Sequence, residues 1–99
     1  MRCRVRTLRR AVSDLVEIRD YIARDDAAAA ERVIAQLLAA IEGLAALPER
    51  GARPRDERLR RAAYRFLVEG SYLVFYKVVG REVRVYRVVH GRRAYASWL

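Results

Sequence analysis

The chain has 99 residues, which fits one domain with a thin stability margin, because so small a domain buries only somewhat more than about 60% of its unfolded surface. Its longest apolar run, around residues 72–79, is far shorter than the ~20 residues that cross a bilayer. Alternating arginines over residues 2–6 leave no room for the apolar core of a signal peptide, and a lone cysteine, Cys3, fits a reducing compartment. We therefore expect one soluble, cytoplasmic domain spanning residues 1–99.

Charge is strongly segregated along the chain. The formal net charge is +9, yet residues 14–49 contain eight acidic and three basic residues, while the remainder contains 18 basic and four acidic ones. All basic residues except Lys77 are arginine, whose planar fork suits phosphate and carboxylate groups. A GC-rich genome would explain the choice of arginine over lysine equally well, but it would not explain the segregation. A polyanion or an acidic partner is therefore expected.

The first half of the chain predicts one strand and two helices. Arginine alternates with smaller residues over residues 2–7, which indicates a strand of about six residues. Apolar residues spaced by four, three and four predict an amphipathic helix over residues 9–24. Asp26 is placed to cap a second helix that continues to about Leu47, just before Pro48. Because the connection is short, the two helices should form an antiparallel hairpin.

The second half predicts a loop and a three-stranded meander. Residues 48–61 combine Gly51 and Pro54 with six arginines, which is typical of a loop. Strands are predicted over residues 64–68, 72–79 and 82–90, with glycine at both turns. The order βααβββ predicts an α+β fold in which the antiparallel helical hairpin packs on one face of a small curved sheet. The tail, residues 91–99, forms a short final helix or lies across the sheet.

Large side chains occupy both faces of the last two predicted strands. Strict alternation places four residues of the last strand on one face: Arg84, Tyr86, Val88 and His90. Since the helices cover only one face, the other should remain open to a partner. Alternatively, the sheet curves tightly and the tail folds over that face.

Metal, hydrolase and nucleotide-binding sites have no support in the residue pattern. One histidine and one cysteine, far apart in the sequence, cannot supply the three or four ligands of a metal site. The serines lie in no nucleophile-elbow context, and no glycine-rich phosphate loop occurs. No cofactor or metal is therefore expected.

Basic and aromatic residues gather near one end of the predicted sheet. Arginines can clamp a phosphate, a histidine can move protons and rings can stack on a base, which outlines an RNA-cleaving site. His90 is the acid–base candidate, although a lone histidine at a strand end is more often structural. Arg65 could equally pair with Glu69 or Glu82, while the remaining members fit a solvated turn or a packed tail. The group comprises Arg65, Arg87, His90, Arg92, Arg93, Tyr95 and Trp98.

Two stretches together resemble the RelE/ParE toxin superfamily over nearly the whole chain. The stretch SDLVEIRDYIARDDAAAAERVIAQLLAAIEGLAALPERG is similar to the ParE helical hairpin followed by its Pro-x-x-Gly exit. The stretch YRFLVEGSYLVFYKVVGREVRVYRVVHGRR is similar to the meander of that family and its terminal His-Gly-Arg-Arg signature. Their combination, in this order and at this length, is fairly specific.

The resemblance implies a toxin that a ParD-like antitoxin holds inactive, the C-terminal segment of the antitoxin wrapping the toxin and its N-terminal domain binding operator DNA. A long hairpin and a basic loop without lysine favour ParE over RelE, which implies DNA gyrase as the target and no catalytic residues. The candidates for binding the target or the antitoxin are Arg58, Arg60, Arg61, Arg65, Arg84, Tyr86, Arg87, Arg92, Arg93 and Trp98.

Two other functions stay open at this point. RelE-like members of the superfamily cleave messenger RNA on the ribosome, and the resemblance would then give catalytic roles to Arg65, His90, Arg92 and Tyr95. The charge alone would also fit a plain nucleic-acid-binding module, whose affinity would fall steeply with salt.

Overall fold

The computed structural model describes residues 2–91 and contains three helices on a four-stranded mixed sheet. In chain order the elements are β1 (Arg4–Thr7), α1 (Arg9–Ala23), α2 (Ala27–Gly43), α3 (Glu57–Arg61), β2 (Arg65–Glu69), β3 (Tyr72–Val79) and β4 (Glu82–His90). The strand order is β1-β4-β3-β2, with β1 parallel to β4 and the other neighbours antiparallel. The predicted α+β fold is confirmed, with α3 as an addition. The proposed C-terminal helix falls outside the described residues.

The helical hairpin of α1 and α2 covers one face of the sheet. Asp26 caps α2 as predicted, since its carboxylate accepts a hydrogen bond from the Ala29 N–H at 3.0 Å. The main core between the hairpin and the sheet includes Leu37, Tyr76 and Val85, each at most 1% exposed. Each buried side chain of this kind contributes about 1.5–3 kcal/mol. Within residues 2–91, none of the helices is both long and apolar enough to span a membrane.

Two element boundaries differ from the prediction for one shared reason. Helix α2 ends at Gly43 rather than near Leu47, and β1 begins at Arg4 rather than two residues earlier. The carbonyl of Ala45 accepts a hydrogen bond from the Cys3 N–H at 2.7 Å. This hydrogen bond joins the turn after α2 to the residues ahead of β1. The turn therefore does not continue α2, and the residues ahead of β1 do not extend that strand.

Part of the predicted loop over residues 48–61 is the short helix α3. The carboxylate of Asp56 accepts hydrogen bonds from the N–H groups of Arg58 and Leu59, at 2.9 and 3.2 Å. At the other end Ala63 adopts φ = 67°, and the Tyr64 N–H donates to the Leu59 carbonyl, which forms a Schellman motif. Local capping at both ends thus specifies a helix that the glycine and proline content had obscured.

Helix α3 lies on the sheet face that was expected to be open. Its buried Leu59 packs with Tyr64, Phe75 and Val89 in a second, smaller cluster. The expectation of a wholly uncovered face was therefore wrong: α3 covers the half of it that carries Phe75 and Val89.

A register shift between β3 and β4 overturns the predicted alternation of β4. Phe75 pairs with Arg87, whereas the next residue, Tyr76, pairs with Val85, so that Tyr86 is the additional residue of a β-bulge. Before the bulge, Val85 points to the hairpin; after it, Val88 does. The expectation that Arg84 and Tyr86 share a face with Val88 and His90 was wrong, because the bulge separates the two pairs.

A buried ion pair joins α1 to β4 just beyond this bulge. The guanidinium of Arg87 donates to the carboxylate of Asp14 at 2.8 and 3.2 Å, and the Val88 N–H donates to the same carboxylate at 2.9 Å. Asp14 is 4% exposed and Arg87 9%. On the outer side, Arg10 lies 3.5 Å from Asp14. The carboxylate is therefore surrounded by donors from both elements.

We expect Asp14→Ala to destabilise the fold strongly. Removing one partner of a buried ion pair costs about 3–5 kcal/mol, because the other charge stays buried without it. The free energy of unfolding from urea denaturation measures this loss. Asp20→Ala is the matched control, since Asp20 lies on the same helix and pairs with Arg19 at 3.3 Å in an exposed position. Its cost should stay below about 1 kcal/mol; equal losses for the two variants would contradict the role given to the buried pair.

Candidate functional site

The sheet face that carries α3 concentrates exposed positive charge, and we call it the basic face. Arg58, Arg60 and Arg61 follow one another along α3 around the buried Leu59, and all three are exposed. Arg61 pairs with Glu57 at 2.8 Å and Arg58 lies 3.9 Å from Asp56, both on the surface. The basic face is defined by these three arginines together with Arg84 and Lys77.

Lys77 lies at the centre of the basic face between two tyrosines. Its ammonium group is 4.5 Å from the ring centroid of Tyr64 and 5.0 Å from that of Tyr86. The two rings meet edge to face, with centroids 5.3 Å apart. Burial, with a smaller contribution from Tyr86, raises the pKa of Tyr64. Tyr64 therefore stays a neutral ring at neutral pH, and Tyr86 belongs to the basic face because its ring also packs against Lys77.

Arg84 shares the basic face with an acidic neighbour on its own strand. It donates to the carboxylate of Glu82 at 2.6 Å. This hydrogen bond, together with the charges of Arg84, Arg6 and Arg4, holds the pKa of Glu82 below its usual value. The strand register sets Arg6 of β1 opposite Arg84, and Arg84 opposite Lys77. The candidate set from the sequence omitted Arg6 and Lys77; the alternating arginines of β1 were the available signal for the first.

Arg65 does not reach the basic face, because it points to the hairpin side and holds a loop. Its guanidinium donates to the carbonyls of Gly51 and Glu49, at 3.0 and 3.3 Å, and lies 3.4 Å from the Glu49 carboxylate. It thus pairs with Glu49, not with Glu69 or Glu82. The neighbouring N–H of Gly51 donates to the Tyr76 hydroxyl oxygen at 2.9 Å. Burial raises the pKa of Tyr76, so this hydroxyl stays protonated at neutral pH.

Arg87 was expected to contact a partner, but its ion pair with Asp14 buries it. With its side chain directed at α1, it cannot present its guanidinium to a target or an antitoxin in this conformation. The structure therefore gives Arg87 a role in joining α1 to β4, and its predicted binding role stays a prediction.

His90 lies at the end of β4 on the hairpin side. Its ring meets that of Tyr72 edge to face, with centroids 5.5 Å apart. Both rings line an open groove of about 600 Å³ that α1 borders with Glu17, Ile18 and Tyr21. The groove is apart from the basic face, which lies on the other side of the sheet.

The structure does not bring Arg65 and His90 together. Arg65 pairs with Tyr76 and His90 with Tyr72, on opposite sides of β3. Their Cα atoms are thus about 13 Å apart along β3 and about 10 Å apart across it, from the usual strand dimensions. The remaining tail candidates, Arg92, Arg93, Tyr95 and Trp98, lie outside the described residues. Over the part of the chain that the structure describes, no three His, Cys, Asp or Glu side chains form a metal-binding group.

Two solved structures of toxin–antitoxin systems share this small α+β architecture. The chromosomal ParDE toxin–antitoxin system of P. aeruginosa superposes with a TM-score of 0.74 at 21% identity, covering 89% of this chain and 95% of the other. The toxin–antitoxin complex RelBE2 of Mycobacterium tuberculosis superposes with a TM-score of 0.70 at 22% identity, covering 91% and 99%. At these identities the likeness establishes the fold.

Residues 5–95 match the family model of the ParE toxin of the type II toxin–antitoxin system parDE, and the chain belongs to that family. The protein Y4kP of Sinorhizobium fredii is 34% identical over 97 residues, which cover 98% of this chain and 94% of Y4kP. Toxin RelE2 of Caulobacter vibrioides is 39% identical over 85 residues, which cover 85% of this chain and 90% of RelE2.

We expect Gly51→Ala to destabilise the loop that Arg65 and Tyr76 hold. A Cβ at this position would lie 2.5 Å from the Tyr76 hydroxyl oxygen and 2.8 Å from the Phe66 carbonyl oxygen, so buried groups must move. Such overpacking costs about 1–3 kcal/mol of unfolding free energy, measurable by urea denaturation. The Pro-x-x-Gly exit of the hairpin thereby has a steric reason for its glycine.

Gly43→Ala is the control for this prediction. Its Cβ would meet nothing closer than the Arg50 guanidinium at 3.5 Å, and alanine favours the last turn of α2 by about 1 kcal/mol. The free energy of unfolding should therefore stay the same or rise. A tolerated Gly51→Ala would show that the loop can shift without cost.

Proposed function

We propose that this toxin inhibits DNA gyrase by binding it, without catalytic residues of its own, and that a ParD-like antitoxin neutralises it. The observation that carries the proposal is the basic face, which combines the exposed arginines of α3 with the half-buried Lys77 packed against the rings of Tyr64 and Tyr86. Gyrase works on DNA, and a protein of net charge +9 accumulates at such a polyanionic complex. The basic face supplies the contact surface.

The use of the predicted nuclease residues supports binding rather than cleavage. The guanidinium of Arg65 donates hydrogen bonds to the carbonyls of Glu49 and Gly51. His90 is displaced from it by about 13 Å along the direction of β3. A phosphate clamp and a general acid or base must reach the same phosphate group, within hydrogen-bonding distance. His90 and Arg65 are too far apart to reach the same phosphate group.

The proposed pairing with an antitoxin is supported by the family of this chain and by the solved structures that share its fold. The solved structures of matching fold are a ParDE system and a RelBE2 toxin–antitoxin complex. For this chain we propose a ParD-like partner that covers part of the basic face, since blocking that surface would prevent target binding. Antitoxin and gyrase would then compete for the toxin.

Reversing a charge on α3 should weaken gyrase inhibition. Purified toxin added to a DNA supercoiling reaction should inhibit gyrase, and Arg60→Glu should raise the concentration needed by about tenfold, because rim charges govern encounter. Arg32→Glu carries the same change in charge at an exposed position of α2 and should leave inhibition unchanged. Equal effects of the two variants would assign the activity to net charge, and no inhibition by the unaltered toxin would refute the gyrase target.

A ribosome-dependent mRNA endonuclease is the alternative, because a relative at 39% identity carries the name RelE2. We expect messenger RNA to remain intact when the toxin is added to a cell-free translation reaction and the message is mapped by primer extension. Cuts that vanish with His90→Ala, while supercoiling is untouched, would replace the gyrase proposal. His90 contacts Tyr72 at the end of the sheet, so unfolding of each variant is measured in parallel.

A further inference from the structure

Three cations stand in one row across three neighbouring strands of the sheet. The register sets Arg6 of β1 directly opposite Arg84 of β4, and Arg84 directly opposite Lys77 of β3. Val83 and Val85, which flank Arg84, are buried under the hairpin, so Arg84 and its row point to the other face. We call these three residues the cation row. The row occupies the half of the basic face that α3 leaves uncovered.

Like charges placed directly opposite each other destabilise a sheet. Among the described residues of this region, Glu82 provides the acidic contact, through its hydrogen bond to Arg84 at 2.6 Å. The charges of Arg6 and Arg4 also act on this one carboxylate. Positive charge on this part of the sheet therefore exceeds the negative charge beside it, and an anionic partner would relieve the repulsion.

The surroundings of the cation row favour a protein over a nucleic acid. Single strands are bound by aromatic rings whose faces are free to stack on bases. Here Tyr64 is buried, and Tyr64 and Tyr86 both turn ring faces to Lys77 at 4.5 and 5.0 Å. Beside the row, Val79 lies on the same face and is 43% exposed. Cations next to an exposed aliphatic residue suit an amphipathic segment with carboxylates.

The spacing of the row matches one turn of a helix. Neighbouring strands are about 4.8 Å apart, so the row spans about 10 Å perpendicular to the strands. The pitch of an α-helix is about 5.4 Å, and acidic residues at i, i+4 and i+7 are spread over about two turns. A helix lying across the strands could therefore set one carboxylate against each cation.

We propose that the cation row is the docking surface for an acidic amphipathic helix of the protein partner, which lies across β1, β4 and β3 with one carboxylate per turn. The inference deepens the antitoxin pairing proposed above and rests on it for the identity of the partner. It goes further in giving the secondary structure, direction and charge pattern of the segment that binds.

Two designed peptides of about 20 residues test the docking surface, a length at which an isolated helix can form. Both have the same composition; one carries glutamates at one-turn spacing along a single stripe, and the other distributes them around the helix. Fluorescence anisotropy with the full chain should show the striped peptide binding about tenfold more tightly, from three added surface ion pairs. Arg6→Gln and Arg84→Gln should each lower that preference about twofold, since each removes one of the three ion pairs.

Arg32→Gln is the matched control, because it removes the same charge from an exposed position on α2 and should leave the preference intact. Equal binding of the two peptides, or a preference that Arg6→Gln leaves unchanged, would overturn the proposal. Tighter binding of a single-stranded oligonucleotide that Arg6→Gln abolishes would do so too, in favour of a nucleic-acid surface. If the toxin does not inhibit gyrase in the supercoiling reaction, the gyrase target is refuted while the peptide result stands. The two proposals therefore fail separately.

Discussion

The Asp14 carboxylate is the point at which the two layers of the fold are joined. It accepts two hydrogen bonds from Arg87 and one from the Val88 N–H, and it is nearly inaccessible to water. A buried ion pair adds little net stability compared with apolar packing, but a broken one is expensive. The pair therefore selects one arrangement of α1 on β4 over others, because any slip of the helix would leave a buried charge without its partner.

The β-bulge at Tyr86 lies next to this junction and decides which side chains reach which surface. Because Tyr86 is an additional residue, Arg84 and Tyr86 stay on the basic face while Val88 turns to the hairpin. Three consecutive residues of β3, Val74 to Tyr76, are buried, because the hairpin covers one face of the sheet here and α3 covers the other. His90 is thereby carried to the hairpin side, where it lies in the groove beside Tyr72 and away from the basic face.

Sequence periodicity predicted the elements well because helices and strands obey local rules. The hairpin, the cap at Asp26 and the last two strands follow from spacing and turn residues. The roles of individual arginines were not predictable in this way. Arg87 finds its carboxylate 73 positions away and Arg65 its loop 14 to 16 positions away, so nothing near either residue distinguishes it from an exposed cation. The short helix α3 did have a local signal, the cap at Asp56 ahead of Leu59, which the surrounding arginines outweighed.

The segregation of charge along the chain becomes a segregation of surfaces because the sheet lies between them. The acidic stretch forms the hairpin on one side, where Glu17, Asp20, Glu31 and Glu42 are all exposed. The basic face lies on the other side, with α3 covering its apolar half and the cation row its remaining half. Charge is therefore distributed asymmetrically over the molecule. A polyanion attracts the basic face and repels the hairpin, so encounters are oriented before any contact forms. The same two-sidedness means that a partner able to cover the basic face needs no contact with the hairpin to remove most of that attraction.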